Sequence, residues 1–290
     1  MTAIMKPTSR FWIEWSARDF AAMQQSGDNT RAIAVLPIAA VEQHGPHLPV
    51  SVDTTLVEGV IAACLPHLPE QQTILFLPTQ AVGKSNEHQR FAGTLTLSAE
   101  TLMRVWMELG ASVARAGIRK LVLFNSHGGQ ITLMEMVARE LRVQHDLLVA
   151  STSWFNLPMA PAVHALFTPD EHQFGIHAGD METSMMLALK PHTVHMTEAQ
   201  DFSSSLAGQA RDYPLLGSGV ANVAWQMQDL NPMGAAGNAT LASADKGRRV
   251  IEGAGEQLAR LLAEVDRLPL DTLNQTTGWP VQVPPVSAVA

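Results

Sequence analysis

One cysteine in 290 residues, Cys64, rules out an intramolecular disulfide and any thiolate-rich metal cage. Basic residues are also scarce: 19 Lys and Arg against 27 Asp and Glu, a formal charge of −8. A nucleic-acid binder carries a basic face. Here no Lys/Arg cluster is longer than a pair such as Arg248-Arg249, so no nucleic-acid partner is expected. No apolar run approaches the ~18 residues that a bilayer-spanning helix needs. Residues 1–10 lack the apolar segment of a secretory leader, so no membrane association and a cytoplasmic location are expected. What is abundant is apolar residues, 46% of the chain, against only 16% charged. That supplies a sizeable core and excludes a largely disordered chain. The mean hydropathy of +0.06 is high for a monomer and fits a buried subunit interface. Eleven histidines beside the lone cysteine mean that any metal site must be built from nitrogen and oxygen.

Residues 31–40, 73–77, 119–124 and 147–151 are short apolar runs that read as strands covered on both faces. Between them lie helical stripes. Leu102, Val105, Trp106, Leu109 and Val113 recur at spacings that put them on one face of a helix over 98–116, with Ser98 as N-cap and Gly117 as stop. Leu133, Met136, Val137 and Leu141 mark a second helix, and Val250, Ile251, Leu258, Leu261 and Leu262 a late one. Strand alternating with helix implies right-handed β-α-β units and a mostly parallel sheet, with ligands beyond the carboxyl ends of the strands. One α/β domain over 1–290 is expected, its ordered core at about 10–270. Residues 201–238, rich in Gly, Ser, Asn and Pro, read as long loops, and 274–290 as an extended tail.

Three segments at expected strand ends carry the chemistry. The first is Glu42-Gln43-His44-Gly45-Pro46-His47-Leu48-Pro49 with Asp53. The spacing of Glu42 and His44 puts both on one face of an extended segment; Pro37, Gly45, Pro46 and Pro49 exclude a regular helix. The second is Asn125-Ser126-His127-Gly128-Gly129, and the third His177-Ala178-Gly179-Asp180-Met181-Glu182-Thr183-Ser184, a loop running into a helix. Alone, Asp53 or Asp180 reads as a helix cap, Glu182 as a favourable charge in a first turn, and Glu42 and His44 as solvated loop residues. Together they form a cysteine-free set of His, Glu and Asp suited to Zn, Mn or Fe. The set exceeds what one ion needs and suits two ions about 3.5–4 Å apart, with a bridging carboxylate.

These motifs, with Gly83-Lys84-Ser85-Asn86-Glu87-His88, Phe91-x-Gly93-Thr94-Leu95 and Ala242-Ser243-Ala244-Asp245-Lys246-Gly247, resemble the signature of the creatininase (creatinine amidohydrolase) family. The resemblance runs from about Ile33 to Gly247. It implies a three-layer α/β/α sandwich, a homo-oligomer (often a hexamer), and two divalent metal ions per subunit. It further implies hydrolysis of non-peptide amide bonds in small molecules. Residue by residue it implies Glu42, His44, Asp53 and His127 as metal ligands, with Asp53 bridging, and His177 as the histidine that moves a proton. Creatininase proper has a metal-binding glutamate where this chain has Gly129. Glu182 is the best replacement, as ligand or general base, and the departure points away from creatinine toward another cyclic amide or a formamide.

His47, Glu87 and His88 weigh less; His88 reads equally as pocket lining or surface. Trp154 and Phe155 read as pocket wall or core, Trp106, Met103, Met107, Met185 and Met186 as packing, and Cys64 as a small buried hydrophobe. Two other functions compete. A metal-dependent phosphoesterase would need a cation beside the site, for which Lys84 and Arg90 are the candidates. A noncatalytic metal-binding homologue would keep the fold without turnover.

Overall fold

A computed structural model describes residues 9–217 and 220–273 of the protein; the expected tail at 274–290 lies outside them. The strands are β1 (Ile33–Ile38), β2 (Ile74–Phe76), β3 (Lys120–Asn125), β4 (Leu148–Ser153), β5 (Asp201–Phe202) and β6 (Gly237–Asn238). The helices are α1 (Ala17–Ser26), α2 (Val52–Cys64), α3 (Ala99–Arg115), α4 (Ile131–His145), α5 (Pro161–His164), α6 (Pro169–Phe174), α7 (Asp180–Leu189), α8 (Ser205–Asp212), α9 (Pro214–Gly217), α10 (Met227–Leu230) and α11 (Ala244–Arg267).

The first four strands form one parallel sheet in the order β2-β1-β3-β4. β1 and β3 are buried at every residue, as central strands covered on both faces must be. Alternation along them sorts the core into two halves. Ile33, Val35, Val122 and Phe124 face α2, α7 and α11, whereas Ala34, Leu36, Leu121 and Leu123 face α1, α3 and α4. The result is the expected three-layer α/β/α sandwich. The helix at 98–116 falls where its stripe predicts: Ser98 accepts a bond from the Thr101 N–H, and Gly117 takes a left-handed φ of +80° after the last turn. Trp106, Cys64, Met185 and Met186 are fully buried, and Trp154 is core.

Pro37 lies inside β1 rather than in the loop after it. A proline removes a ladder donor, but here the loss costs little. The Ile33 N–H points to Thr73 on the β2 side, so the missing donor of Pro37 also faces that side, where β2 has already ended at Phe76.

The stretch 201–238 differs from the expected loops. β5 and β6 pair antiparallel, Asp201 with Asn238 and Phe202 with Gly237, and α8, α9 and α10 lie between them. Elements of two to eight residues are too short to leave a readable period in the sequence. A backbone bridge from Ala236 to His177 docks this segment onto the site.

Candidate metal centre

The register places the three motifs at one edge. Ile38, Asn125 and Ser153 lie side by side at the carboxyl ends of β1, β3 and β4. The segments that follow β1 and β3 therefore leave the sheet together, as a parallel sheet requires. Asp53 joins from α2, where it is the second helical residue; Ser51 holds the N-cap position, so Asp53 is not a cap. Its carboxylate is turned inward and 1% exposed. His177 precedes α7 and Glu182 lies in its first turn. Asp180, likewise not a cap, pairs with Lys246 of α11.

Two histidines are held by their outer nitrogens. His44 Nδ1 donates to the Glu42 carbonyl at 3.0 Å, and His127 Nε2 donates to the Lys84 carbonyl at 3.0 Å. Their inner nitrogens face carboxylates. His44 Nε2 is 3.6 Å from Asp53 Oδ1 and 3.9 Å from Glu182 Oε2. His127 Nδ1 is 3.2 Å from Glu42 Oε1 and 3.6 Å from Asp53 Oδ2. Outer nitrogen on a backbone carbonyl and inner nitrogen turned toward carboxylates that could share an ion is the arrangement of a metal-ligating histidine. Two ligand atoms ~2.1 Å from a tetrahedral ion stand ~3.4 Å apart, and the four separations bracket that distance.

Glu42 Oε2, His44 Nε2 and Asp53 Oδ2 are buried without a hydrogen-bond partner. An unmet buried polar atom costs about 1–3 kcal/mol, more when charged, and cations bound among these residues would relieve that cost. Glu42, Asp53 and His127 can hold one ion; His44, His177 and Glu182 can hold another, as can Glu42, His88 and His177. The residues present thus fit the divalent ions that the sequence implies.

The electrostatics agree. Burial opposes ionisation of Glu42, but His127, His88 and His177 outweigh it and hold this carboxyl well below its usual range. Burial and the charge of Glu42 raise Asp53. Glu182 is pushed up to about 7 by burial, then by Asp53 and Glu42, against His44. Burial would lower His44, but Asp53, Glu182 and Glu42 prevail and lift it to about 9. His127 rises for the same reason, with Glu42 as its strongest partner. His177 goes the other way: burial, His44 and His88 hold it neutral.

His177 is oriented by its surroundings. Its Nε2 donates to the Gln43 carbonyl at 2.8 Å, leaving Nδ1 toward Glu42 Oε1 at 3.6 Å. Ala178 adopts a left-handed φ of +55°, unusual for a residue with a Cβ. Its N–H donates to Glu182 Oε2 at 2.6 Å. The backbone strain is thus tied to a site carboxylate.

Three residues carry more than their motifs suggested. His88 is buried, with Nε2 3.5 Å from Glu42. Gln43 donates through its amide to His88 Nδ1 at 2.7 Å and to the Gly234 carbonyl at 2.8 Å, while its oxygen accepts from the Gly45 N–H. It thereby fixes the tautomer of His88. Glu87 lies 3.1 Å from the outer nitrogen of His127. Gly45 takes a left-handed φ of +65°, and its N–H helps to hold the Gln43 side chain inward, a contact that no sequence period announces. His47 stays outside the centre: it bonds to Thr183 at 2.9 Å and stacks on Phe202. Lys84 bonds through its ammonium to Asn86, and Arg90 is exposed.

The molecule is thus a parallel three-layer sandwich with a buried carboxylate–imidazole cluster at its carboxyl edge that could hold metal ions. Residues 14–262 match the family model described as creatininase, creatinine amidohydrolase, and the chain belongs to the creatininase family. It is 32% identical to a mycofactocin precursor peptide peptidase of Mycobacterium ulcerans, covering 74% of this chain and 78% of that one. It is 30% identical to a creatinine amidohydrolase of Pseudomonas putida, covering 65% and 75%. A creatininase solved as a manganese form superposes with a TM-score of 0.69 at 25% identity, covering 88% of this chain and 98% of that one. A zinc–zinc form of a point mutant gives 0.68 at 25%, covering 89% and 98%. The family supports an amidohydrolase, and divalent metals at this site. No helix among the described residues is long and apolar enough to cross a membrane.

Proposed function

We propose that this chain is a metal-dependent amidohydrolase that opens a C–N amide bond with water, using two divalent ions held across Asp53. The observation that supports this best is the set of three partnerless buried atoms, Glu42 Oε2, His44 Nε2 and Asp53 Oδ2, all on residues of the candidate metal clusters. Glu42, Asp53 and His127 would hold one ion, and His44, Asp53 and Glu182 the other. Bound there, the ions would acidify a water from 15.7 toward about 7 and polarise the substrate carbonyl.

The remaining steps belong to side chains. Neutral His177 presents a bare Nδ1, so it can accept the proton of the attacking water there and return it to the leaving nitrogen. Gln43 keeps His177 in that tautomer by accepting its Nε2 proton on the backbone carbonyl. The side chain of Glu182 is 17% exposed, against 2% for Glu42 and Asp53, so substrate would approach from its side.

The similar proteins are named for a peptide and for creatinine, so the reading is set at the level of the amide bond, wider than the non-peptide bond expected from sequence. A cytoplasmic homo-oligomer remains part of this reading. The exposed apolar residues Tyr213, Leu215 and Val223 support a subunit interface, and sedimentation would test it.

The experiment is a screen of lactams, formamides, creatinine and short peptides against the chain loaded with Zn²⁺ or Mn²⁺. Turnover of an amide that chelator abolishes and metal restores is expected. Phosphate-ester cleavage alone, or bound metal with no turnover of any amide, would contradict the proposal.

A further inference from the structure

Gly129 stands where the related creatininase motif has a metal-binding glutamate, and its surroundings show what the missing side chain makes room for. A Cβ at 129 would lie 1.7 Å from Glu87 Oε1, 2.7 Å from Glu87 Cδ and 2.7 Å from His127 Nε2. Glu87 thus fills the space that any side chain at 129 would need. It comes from a different element, the short 3-10 turn Asn86–His88. Its side chain is only 12% exposed, and its Oε1 is 3.1 Å from the outer nitrogen of His127.

The two edges of the His127 ring therefore differ in role. The inner nitrogen faces Glu42 and Asp53. The outer N–H donates to the Lys84 carbonyl at 3.0 Å, and the Glu87 carboxylate and the Ser85 hydroxyl lie 3.1 and 3.4 Å from the same nitrogen. Among the described residues, none of the candidate metal clusters includes Glu87, whereas its carboxylate does face the histidine. A carboxylate behind a ligating histidine fixes the ring and raises its basicity; losing such a partner typically costs 10–100-fold in metal affinity.

We propose that Glu87 is a positioning residue for the metal centre: it braces the outer edge of His127 from the space that Gly129 leaves open. This rests on His127 being a metal ligand, as in the proposed function. Seen this way, the exchange of glutamate for glycine at 129 moves one carboxylate from a ligand position to a supporting one, on a different loop.

The test compares Zn²⁺ affinity, by competition with a chromophoric chelator, for the wild-type chain, Glu87→Gln and Glu87→Ala, with thermal unfolding of each metal-free protein alongside. Glu87→Ala is expected to weaken Zn²⁺ binding by about 10- to 100-fold, Glu87→Gln by less, and the metal-free unfolding midpoint is expected to hold. Affinity within twofold of wild type in Glu87→Ala overturns the proposal, as does a loss of affinity matched by a collapse of the metal-free fold in both variants. A wild-type chain that binds no Zn²⁺ contradicts the proposed function instead. The brace is then judged on the imidazole N–H resonance of His127 in metal-free protein: a shift in Glu87→Gln supports it, and an unchanged resonance overturns it.

Discussion

Asp53 Oδ1 lies 3.6 Å from His44 Nε2, while the other oxygen of the same carboxylate lies 3.6 Å from His127 Nδ1. One side chain thus faces two imidazoles that come from two different strand ends. That is the placement a bridging ligand needs, and it makes Asp53 the residue whose loss should affect both ions.

Asp53→Asn is expected to abolish stoichiometric metal binding and amide hydrolysis together. The metal-free fold should not suffer, because burial and Glu42 already disfavour the charge on Asp53. Elemental analysis and calorimetric unfolding check both halves. A metal-replete, active variant would contradict the bridging assignment.

Metal binding should release protons. His44 holds its proton up to about 9 in the metal-free protein and Glu182 up to about 7, and both must give them up to coordinate. Apparent affinity should therefore rise between pH 6 and 9, and binding enthalpy at pH 7 should vary with the buffer's ionisation enthalpy. The stability of the metal-free chain carries the opposite sign. The folded pKa of His44 is raised, so its contribution is fully present below 6.5 and is lost as pH rises from there through about 9. The unfolding midpoint without metal should fall across that window, and bound metal should reverse the trend.

His177→Asn is expected to keep both ions and lose about 10²- to 10⁴-fold in kcat, the usual contribution of a general acid–base group. Metal content measured on the same sample separates this from loss of the centre. Unchanged kcat would remove His177 from the proton path.

Packing reaches the site through Gly247. A Cβ there would lie 1.9 Å from the Ser184 backbone oxygen, so α11 and α7 can cross this closely only without it. Gly247→Ala should destabilise the fold by about 3 kcal/mol and weaken metal binding too, since α7 carries Glu182. Chemical denaturation and metal titration of the variant test both effects.

The strands were legible because β1 and β3 are buried on both faces and must be apolar throughout. α3 was legible because its stripe, cap and glycine stop agree. The clustering of the carboxylates and imidazoles was legible because parallel strands deliver their ends to one edge. Other features have no sequence period to read. Gln43 is held inward by bonds to the Gly45 N–H, His88 and the Gly234 carbonyl. Glu87 lies beside His127 in space that a side chain at position 129 would need. Asp53 looked like a cap because a carboxylate at a helix start serves either purpose, and only the fold shows which way it points. The short elements of 201–238 are fixed by contacts such as the bridge from Ala236 to His177, which lie far apart in sequence.

The most direct test is anomalous diffraction from crystals of the full chain loaded with Mn²⁺ or Zn²⁺. Two peaks about 3.5–4 Å apart, each within bonding distance of a different Asp53 oxygen, are predicted. A single peak that does not touch Asp53, or no peak at the carboxyl edge of the sheet in fully loaded protein, would contradict it.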